Sequence, residues 1–261
     1  MTSTTPPTIT SAELVEVLRG ARSVLALTGA GVSVASGLPT YRGATDSRYE
    51  DPEALRWAMA RTLEKDPDAW WRGYRERLAR FEGVEPNAAH RALAGLESCL
   101  PRTLLATQNV DGLHHAAGSR RVVELHGALH RVRCSRRGCE AEPRTCPVRT
   151  PAGDPPLCEL CDAPLRADIV LFGEGADWRW DPVREFLSEP LDVVLHIGTS
   201  GTVAVPDQLD DLLIEAGRRP RIYELNPQPM DRASPRLPVA GVLRLGAEVA
   251  LPEILAGLQA K

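Results

Sequence analysis

The sequence predicts an α/β fold: one doubly wound parallel sheet interrupted by a small inserted metal-binding module. Three observations point to it. Short apolar, β-branched runs alternate with helical patterns on both sides of the chain's middle, which is the rhythm of βαβ units. The first such run leads directly into a glycine-rich turn, Thr28-Gly29-Ala30-Gly31, as in Rossmann-like sheets. Five of the six cysteines (134, 139, 146, 158 and 161) crowd into one stretch that lacks this rhythm.

Each element follows from local chemistry. Ser11 reads as the N-cap of a helix over 12–21, and a strand at 24–27 runs into the glycine-rich turn. After a loop at 38–51, a largely helical stretch at 52–99 breaks near Asp66-Pro67 and Pro86-Asn87, where proline cannot continue a helix. Strands follow at 103–107 and 122–125. Residues 131–166 differ in kind, with five cysteines, six prolines and little apolar periodicity. The alternation then resumes: strand 169–172, helix 182–188, strand 193–197, helix 206–217, strands 222–225 and 242–245, and a closing helix from Glu248. The large domain is therefore expected at 11–130 and 167–261 and the inserted zinc-binding module at 131–166, with the helical part of the small domain within about 52–85.

Composition narrows the function. The 261 residues carry 31 Lys plus Arg against 35 Asp plus Glu, a net charge of −4, whereas a dominant nucleic-acid binder carries a basic excess. No apolar run approaches the roughly 18 residues of a membrane span. The Thr/Pro-rich first ten residues have neither the basic nor the apolar region of a signal peptide. A cytoplasmic monomer without membrane or nucleic-acid partners is expected, and there thiols stay reduced. Clustered cysteines in that setting point to a metal. Cys99, at the end of a helical pattern, reads as a small buried hydrophobe.

Four residues separate Cys134 from Cys139, two separate Cys158 from Cys161, and eighteen separate the pairs. Two such knuckles closing on each other make the four-thiolate set of structural Zn²⁺, with no open position for catalysis. The segment lacks apolar residues for its own core, so metal binding supplies its folding energy. Cys146 could replace one of the four. The arginines here (131, 133, 136, 137, 144 and 149) also permit a zinc-ribbon nucleic-acid reading, against which stands the absence of base-stacking aromatics.

Small residues at 29–31 let backbone approach a diphosphate. A dehydrogenase fingerprint would put its third glycine at Val34 and an acidic residue at the end of the next strand, and neither is present. Beyond the turn, Gly37-Leu38-Pro39-Thr40-Tyr41-Arg42-Gly43 sets an arginine near a phosphate or ribose. Gln108-Asn109-Val110-Asp111-Gly112-Leu113-His114 and Glu124-Leu125-His126-Gly127 each close a predicted strand, at the sheet edge where α/β proteins bind ligands.

This set resembles the sirtuins, the NAD-dependent protein-lysine deacylases. The glycine loop with its Pro-Thr-aromatic-Arg continuation, the Gln-Asn-x-Asp-x-Leu-His segment, Leu-His-Gly and the paired cysteines occur in that family's order. So do Phe172-Gly173-Glu174, Gly198-Thr199-Ser200, Val203-Ala204-Val205-Pro206 and Asn226-Pro227. Tyr41 stands where Phe is usual, Val110 where Ile is usual, and the first cysteine pair is wider than usual.

The resemblance implies that Gly29, Ala30, Gly31, Thr40, Tyr41 and Arg42 hold NAD. Gln108 and Asn109 would meet the nicotinamide ribose and Asp111 the carboxamide. Gly198, Thr199, Ser200, Asn226 and Ala247 would take the phosphates and adenosine. His126 would be the general base and Asn109 its catalytic neighbour, with nicotinamide and O-acyl-ADP-ribose as products. Cys134, Cys139, Cys158 and Cys161 would hold the zinc. The acyl-lysine peptide would add as a strand between Phe172-Gly173-Glu174 and residues 203–205, including Val203.

Tyr74 and Arg77 lie three apart and share a helix face, where a phenol and a guanidinium form a carboxylate receptor. They resemble the Tyr-x-x-Arg pair of sirtuins that remove succinyl and malonyl groups, and Ala58 falls where those enzymes keep a small residue. The expected activity is deacylation favouring succinyl and malonyl groups over acetyl. Plain deacetylation or mono-ADP-ribosyl transfer on the same fold, or a non-enzymatic zinc module, are the alternatives.

Overall fold

Helix α1 (Ser11–Arg19) starts one position earlier than the sequence suggests, because Thr10 caps it rather than Ser11. Glu13 N–H donates to Thr10 Oγ1 at 3.2 Å and Thr10 N–H to Glu13 Oε2 at 2.7 Å, a reciprocal capping box. The Ser11 hydroxyl is drawn instead to Glu253 Oε2, 2.6 Å away. The computed structural model describes residues 6–40, 56–136, 138–145, 155–232 and 235–260, so Tyr41, Arg42 and Cys146 lie outside the described residues.

Strand β1 (Ser23–Thr28) is buried throughout and passes into a 3-10 turn at Ala30–Ser36. Helices α2 (Ala60–Lys65) and α3 (Pro67–Ala79) meet at Asp66, whose side chain accepts from Ala69 N–H at 2.9 Å, with Pro67 opening the new helix. Asn87 caps α4 (Ala88–Cys99) in the same manner, accepting from Ala89 N–H at 2.8 Å. There follow β2 (Arg102–Thr107), a short α5 (Leu113–Ala116) and β3 (Val122–Glu124). Then come β4 (Gly127–Cys134), β5 (Arg144–Thr145) and β6 (Leu165–Ile169). The chain closes with α6 (Asp181–Leu187), β7 (Val193–Ile197), α7 (Val205–Glu215), β8 (Arg221–Leu225), β9 (Val239–Leu243) and α8 (Ala247–Gln259).

Among the described residues, six strands form one parallel sheet in the order β3-β2-β1-β7-β8-β9. This is the doubly wound Rossmann order, and its direction reverses between β1 and β7, where such sheets bind ligands. A second sheet, β5-β4-β6, is antiparallel. Two expectations change here. The apolar run at 169–172 is not a strand of the main sheet: its strand is β6, ending at Ile169, and Phe172 makes only a single bridge to Met59. The strand β4 does not stand out in the sequence because buried Val132 and Cys134 alternate with half-buried Arg131 and Arg133, a short pattern inside the cysteine-rich segment. The small sheet therefore reaches from Gly127 to Ile169, past both ends of the 131–166 interval.

Two cores sandwich the large sheet. Leu14, Leu18, Leu195 and Ile254 lie on one face, and Leu27, Val194, Leu209 and Leu213 on the other. A third core sits between α3 and the small sheet, where Trp70, Trp71, Tyr74 and Leu78 meet Leu129, Val132, Leu165 and Ile169. Each indole removes about 150–250 Å² from water, worth on the order of 4–6 kcal/mol before conformational entropy is counted. This packing joins the small sheet and α3 around one core. Among the described residues no helix is long and apolar enough to cross a membrane.

Candidate active site and metal centre

Strand register brings the polar segments together. Thr28 pairs across with Thr107 and with Ile197, Thr107 pairs with Glu124, and Ile197 pairs with Leu225. These residues form one line at the carboxyl edge of the sheet. Gly29, Gln108, Gly198 and Asn226 each come one residue after it, and His126 comes two after Glu124. Segments about 200 residues apart in the chain thus converge because their strands end level.

At the switch point the backbones of the β1 and β7 turns touch. A Cβ on Gly29 would lie 2.8 Å from Gly198 O, one on Gly31 2.7 Å from the same oxygen, and one on Gly198 2.5 Å from Val32 N. Gly198 also has φ +60°, open chiefly to glycine. Gly29 N–H donates to Ile197 O at 3.0 Å and Gly31 N–H to Gly198 O at 2.8 Å. Those two donors are thus spent on the sheet, and the glycines serve close approach instead of phosphate donation. Thr199 is buried and receives Gln108 Nε2 at 3.1 Å, while Ser200 is exposed. Asn226 is buried and its Nδ2 has no partner among the described residues; Ala247 is buried at the first turn of α8. A shallow glycine cradle flanked by an unspent amide fits a dinucleotide.

His126 sits half-buried at the turn between β3 and β4, with Nδ1 2.9 Å from Gln108 O. A carbonyl can only accept, so Nδ1 carries the proton and Nε2 keeps its lone pair. Burial lowers the imidazole pKa below its ordinary value; the Gln108 bond opposes this and the charge of Arg179 adds to it. The ring is therefore neutral near pH 7. Gly127 follows with φ +80°, and a Cβ there would lie 1.9 Å from Asp168 O. That clash explains the glycine after the histidine.

Asn109 is buried, its Nδ2 donating to Gly29 O at 3.1 Å and to Ser33 Oγ at 3.2 Å. Ser33 in turn donates to Asp111 Oδ2 at 2.7 Å, and Leu113 N–H donates to Asp111 Oδ1 at 2.9 Å. Behind them lie two neutral histidines with ring centroids 4.9 Å apart. His90 is lowered mainly by burial, and burial pushes His114 down to about 3. His114 Nε2 contacts Thr28 Oγ1 at 3.0 Å, and Thr28 donates to Thr107 Oγ1 at 2.8 Å. The Asn109 and Asp111 side chains are thus joined through Ser33, which His90 Nε2 also approaches at 3.4 Å.

The four predicted sulfurs of Cys134, Cys139, Cys158 and Cys161 lie within 4.8 Å of one another. Cys134 and Cys161 are 3.5 Å apart, Cys139 and Cys158 3.7 Å. Thiolates about 2.3 Å from a tetrahedral Zn²⁺ stand about 3.8 Å apart, so this set fits zinc with little movement. A closed set of four fits a structural ion.

The remaining residues are placed less simply. Tyr74 is buried, stacked 5.7 Å from Trp70, and its hydroxyl donates to Leu129 O at 2.6 Å. Arg77 is half-buried on the same helix, and Ala58 accepts from Phe172 N–H at 2.8 Å. Phe172 is 38% exposed and Gly173 is exposed, but the Glu174 carboxylate is turned inward onto buried Arg166 and accepts from Leu171 N–H at 2.9 Å. Its side chain therefore anchors the segment. Val203 is half-buried before α7, and Val205 is already helical and buried, so residues 203–205 are not a free strand edge. Thr40 is half-buried beyond the 3-10 turn. Sequence reasoning missed Ser33, Asp168 and Arg179: a serine inside an apolar turn and an acid–base pair 11 residues apart carry no spacing signal.

A Sir2 family model matches residues 29–205. An NAD-dependent protein deacylase of Methylococcus capsulatus is 40% identical over 229 residues, covering 83% of this chain and 86% of its own. One of Aeropyrum pernix is 41% identical over 219 residues, again covering 83% and 86%. Among solved structures, a Sir2 homologue in complex with NAD superposes with a TM-score of 0.82 at 30% identity, covering 98% of this chain and 96% of that one. A Sir2–p53 peptide–NAD⁺ complex does so with 0.74 at 25% identity, covering 95% and 98%. On a family match across most of its length, with the glycine cradle, the strand-end polar residues and the four-cysteine cluster in place, the chain belongs to the Sir2 family.

Proposed function

We propose that this chain is an NAD-dependent lysine deacylase acting on peptides or proteins, with a preference for acidic acyl groups such as succinyl and malonyl. The observation that carries the reading is the level strand-end line. It sets a neutral imidazole whose Nε2 has no partner among the described residues, a buried amide and a held carboxylate beside a cradle only glycines can form. The names of the relatives support the NAD-dependent deacylation in this reading.

Bound NAD supplies the activated ribose to which the acyl group moves. In this reading His126 Nε2 takes the ribose hydroxyl proton as general base. Asn109 and Asp111, fixed by Ser33, orient the nicotinamide end and act by positioning. Gln108, Thr199, Ser200, Asn226 and Ala247 hold the ribose and adenosine side, with Gly29, Ala30, Gly31 and Gly198 allowing the approach. Thr40, Tyr41 and Arg42 complete the phosphate end. Gly173, exposed beside the exposed Phe172 side chain, would offer backbone to the peptide, with Val203 opposite.

The acyl preference rests on Arg77 as the fixed charge. The Tyr74 hydroxyl gives up its bond to Leu129 O to donate to an entering carboxylate, and Ala58 leaves the room. Matched acetyl- and succinyl-lysine peptides test this. Arg77→Met and Tyr74→Phe should each lower kcat/KM for the succinyl peptide by about 10–100-fold, the loss of a charge-assisted hydrogen bond, and leave acetyl turnover within about threefold. Equal losses on both peptides would overturn the acyl assignment while leaving deacylation standing.

A further inference from the structure

Beside His126 lies a buried acid–base pair that the proposed chemistry does not use. Arg179, in the 3-10 turn Asp177–Trp180, is 8% exposed, and Asp168 on β6 is 2% exposed. Arg179 Nη2 is 2.5 Å from Asp168 Oδ1 and Nη1 is 3.4 Å from Glu124 O. The same Nη2 would be 3.0 Å from a Cβ on Gly127, so the guanidinium lies against the backbone that follows the imidazole. Val170 N–H completes the grip by donating to His126 O at 2.9 Å. Trp178 covers the guanidinium from outside, 4.4 Å from its carbon.

We infer that Arg179 is a positioning residue for His126: seated on Asp168, it pins the backbone from Glu124 to Gly127 and sets a fixed positive charge beside the ring. This rests on the reading of His126 as the base. A buried pair is costly to assemble and its attraction seldom exceeds that cost, so a role beyond stability is the better account of it. It also joins three elements that differ in origin: a turn of the large domain, a strand of the small sheet, and the corner between β3 and β4.

Other charges around the turn are largely matched. Glu124 pairs with Arg131 at 2.6 Å and lies 3.7 Å from His115. Asp168 is also reached by Arg131 at 3.2 Å and Arg133 at 3.7 Å, and Arg166 is taken up by Glu174. His130 lies on β4, and Asp111 follows β2. Arg179 is the one among them whose charge lowers the His126 pKa appreciably, with burial the larger cause.

The signs are therefore opposite for the two partners. Without the guanidinium, Asp168 favours the protonated ring, so the base is lost at higher pH. Without the carboxylate, the cation disfavours protonation further. The acid limb of kcat/KM should rise by about half a pH unit or more in Arg179→Gln, fall in Asp168→Asn, and stay within about 0.2 unit in Arg179→Lys, which keeps the charge but lowers kcat by losing the fork. The His126 ring titration, followed by NMR, should move with the limb. A purely structural pair would lower rate or stability without these opposed shifts, and an unmoved limb in both charge-removing variants would overturn the inference. Asp168→Asn decides alone should Arg179→Gln fail to fold. An active His126→Ala enzyme would instead overturn the assignment of the base, which keeps the two failures apart.

Discussion

Replacing His126 with alanine is expected to lower kcat/KM for deacylation by about 10²–10⁴-fold, the usual worth of a positioned general base. The ring is half-buried and bonds only the Gln108 carbonyl among the described residues, so its loss empties no core. Zinc content and the thermal transition should stay near those of the parent chain, which separates a chemical defect from unfolding. The pH profile carries the same assignment. Burial puts the imidazole below its ordinary value, so the ring is neutral and competent at pH 7, and activity should fall only as pH drops below the ordinary histidine range near 6.5. An acid limb centred above that value would contradict it.

The second large effect is expected on removing the metal. Cys134 and Cys158 are buried within the core that α3 shares with the small sheet, and the four sulfurs lie within 4.8 Å of one another. Structural zinc contributes about 10–16 kcal/mol of apparent binding energy at neutral pH, as much as the whole stability of an ordinary domain. Elemental analysis should find one zinc per chain. Cys158→Ser, or exhaustive chelation in mild denaturant, should lose the zinc, lower the melting temperature by more than about 5 °C and abolish activity. Activity should fall because β4 joins the two regions: Gly127, next to His126, and Cys134, one of the four clustered cysteines. A zinc-free protein with full activity would remove the metal from this role.

How much of this was legible in the sequence depends on which physics sets each feature. Strands β1, β2, β7 and β8 are near-continuous apolar runs between turn residues, and the pattern locates them within a residue or two because both faces of a parallel sheet are covered. The breaks at Asp66 and Asn87 were legible because capping and proline chemistry are local. Strand β4 was not, since its inward residues alternate with arginines whose partners, Glu124 and Asp168, are brought near only by the fold. The same holds within the site. The histidine, asparagine and aspartate stood out as polar residues at strand ends. The Ser33 contact to Asp111 and the Arg179 grip on the Glu124–Gly127 backbone depend on tertiary distance and leave no periodic trace. The bond from the Tyr74 hydroxyl to the Leu129 carbonyl is likewise set by tertiary distance, between residues 55 apart in the chain.

The most direct measurement follows the atoms. Incubating the chain with NAD and a peptide carrying one acyl-lysine, then weighing every product by mass spectrometry, should show one nicotinamide released per acyl group removed. The acyl group should be recovered on ADP-ribose, and nothing should turn over without NAD. Acyl groups released as free carboxylate with NAD intact, or NAD consumed with the peptide still acylated, would contradict the account.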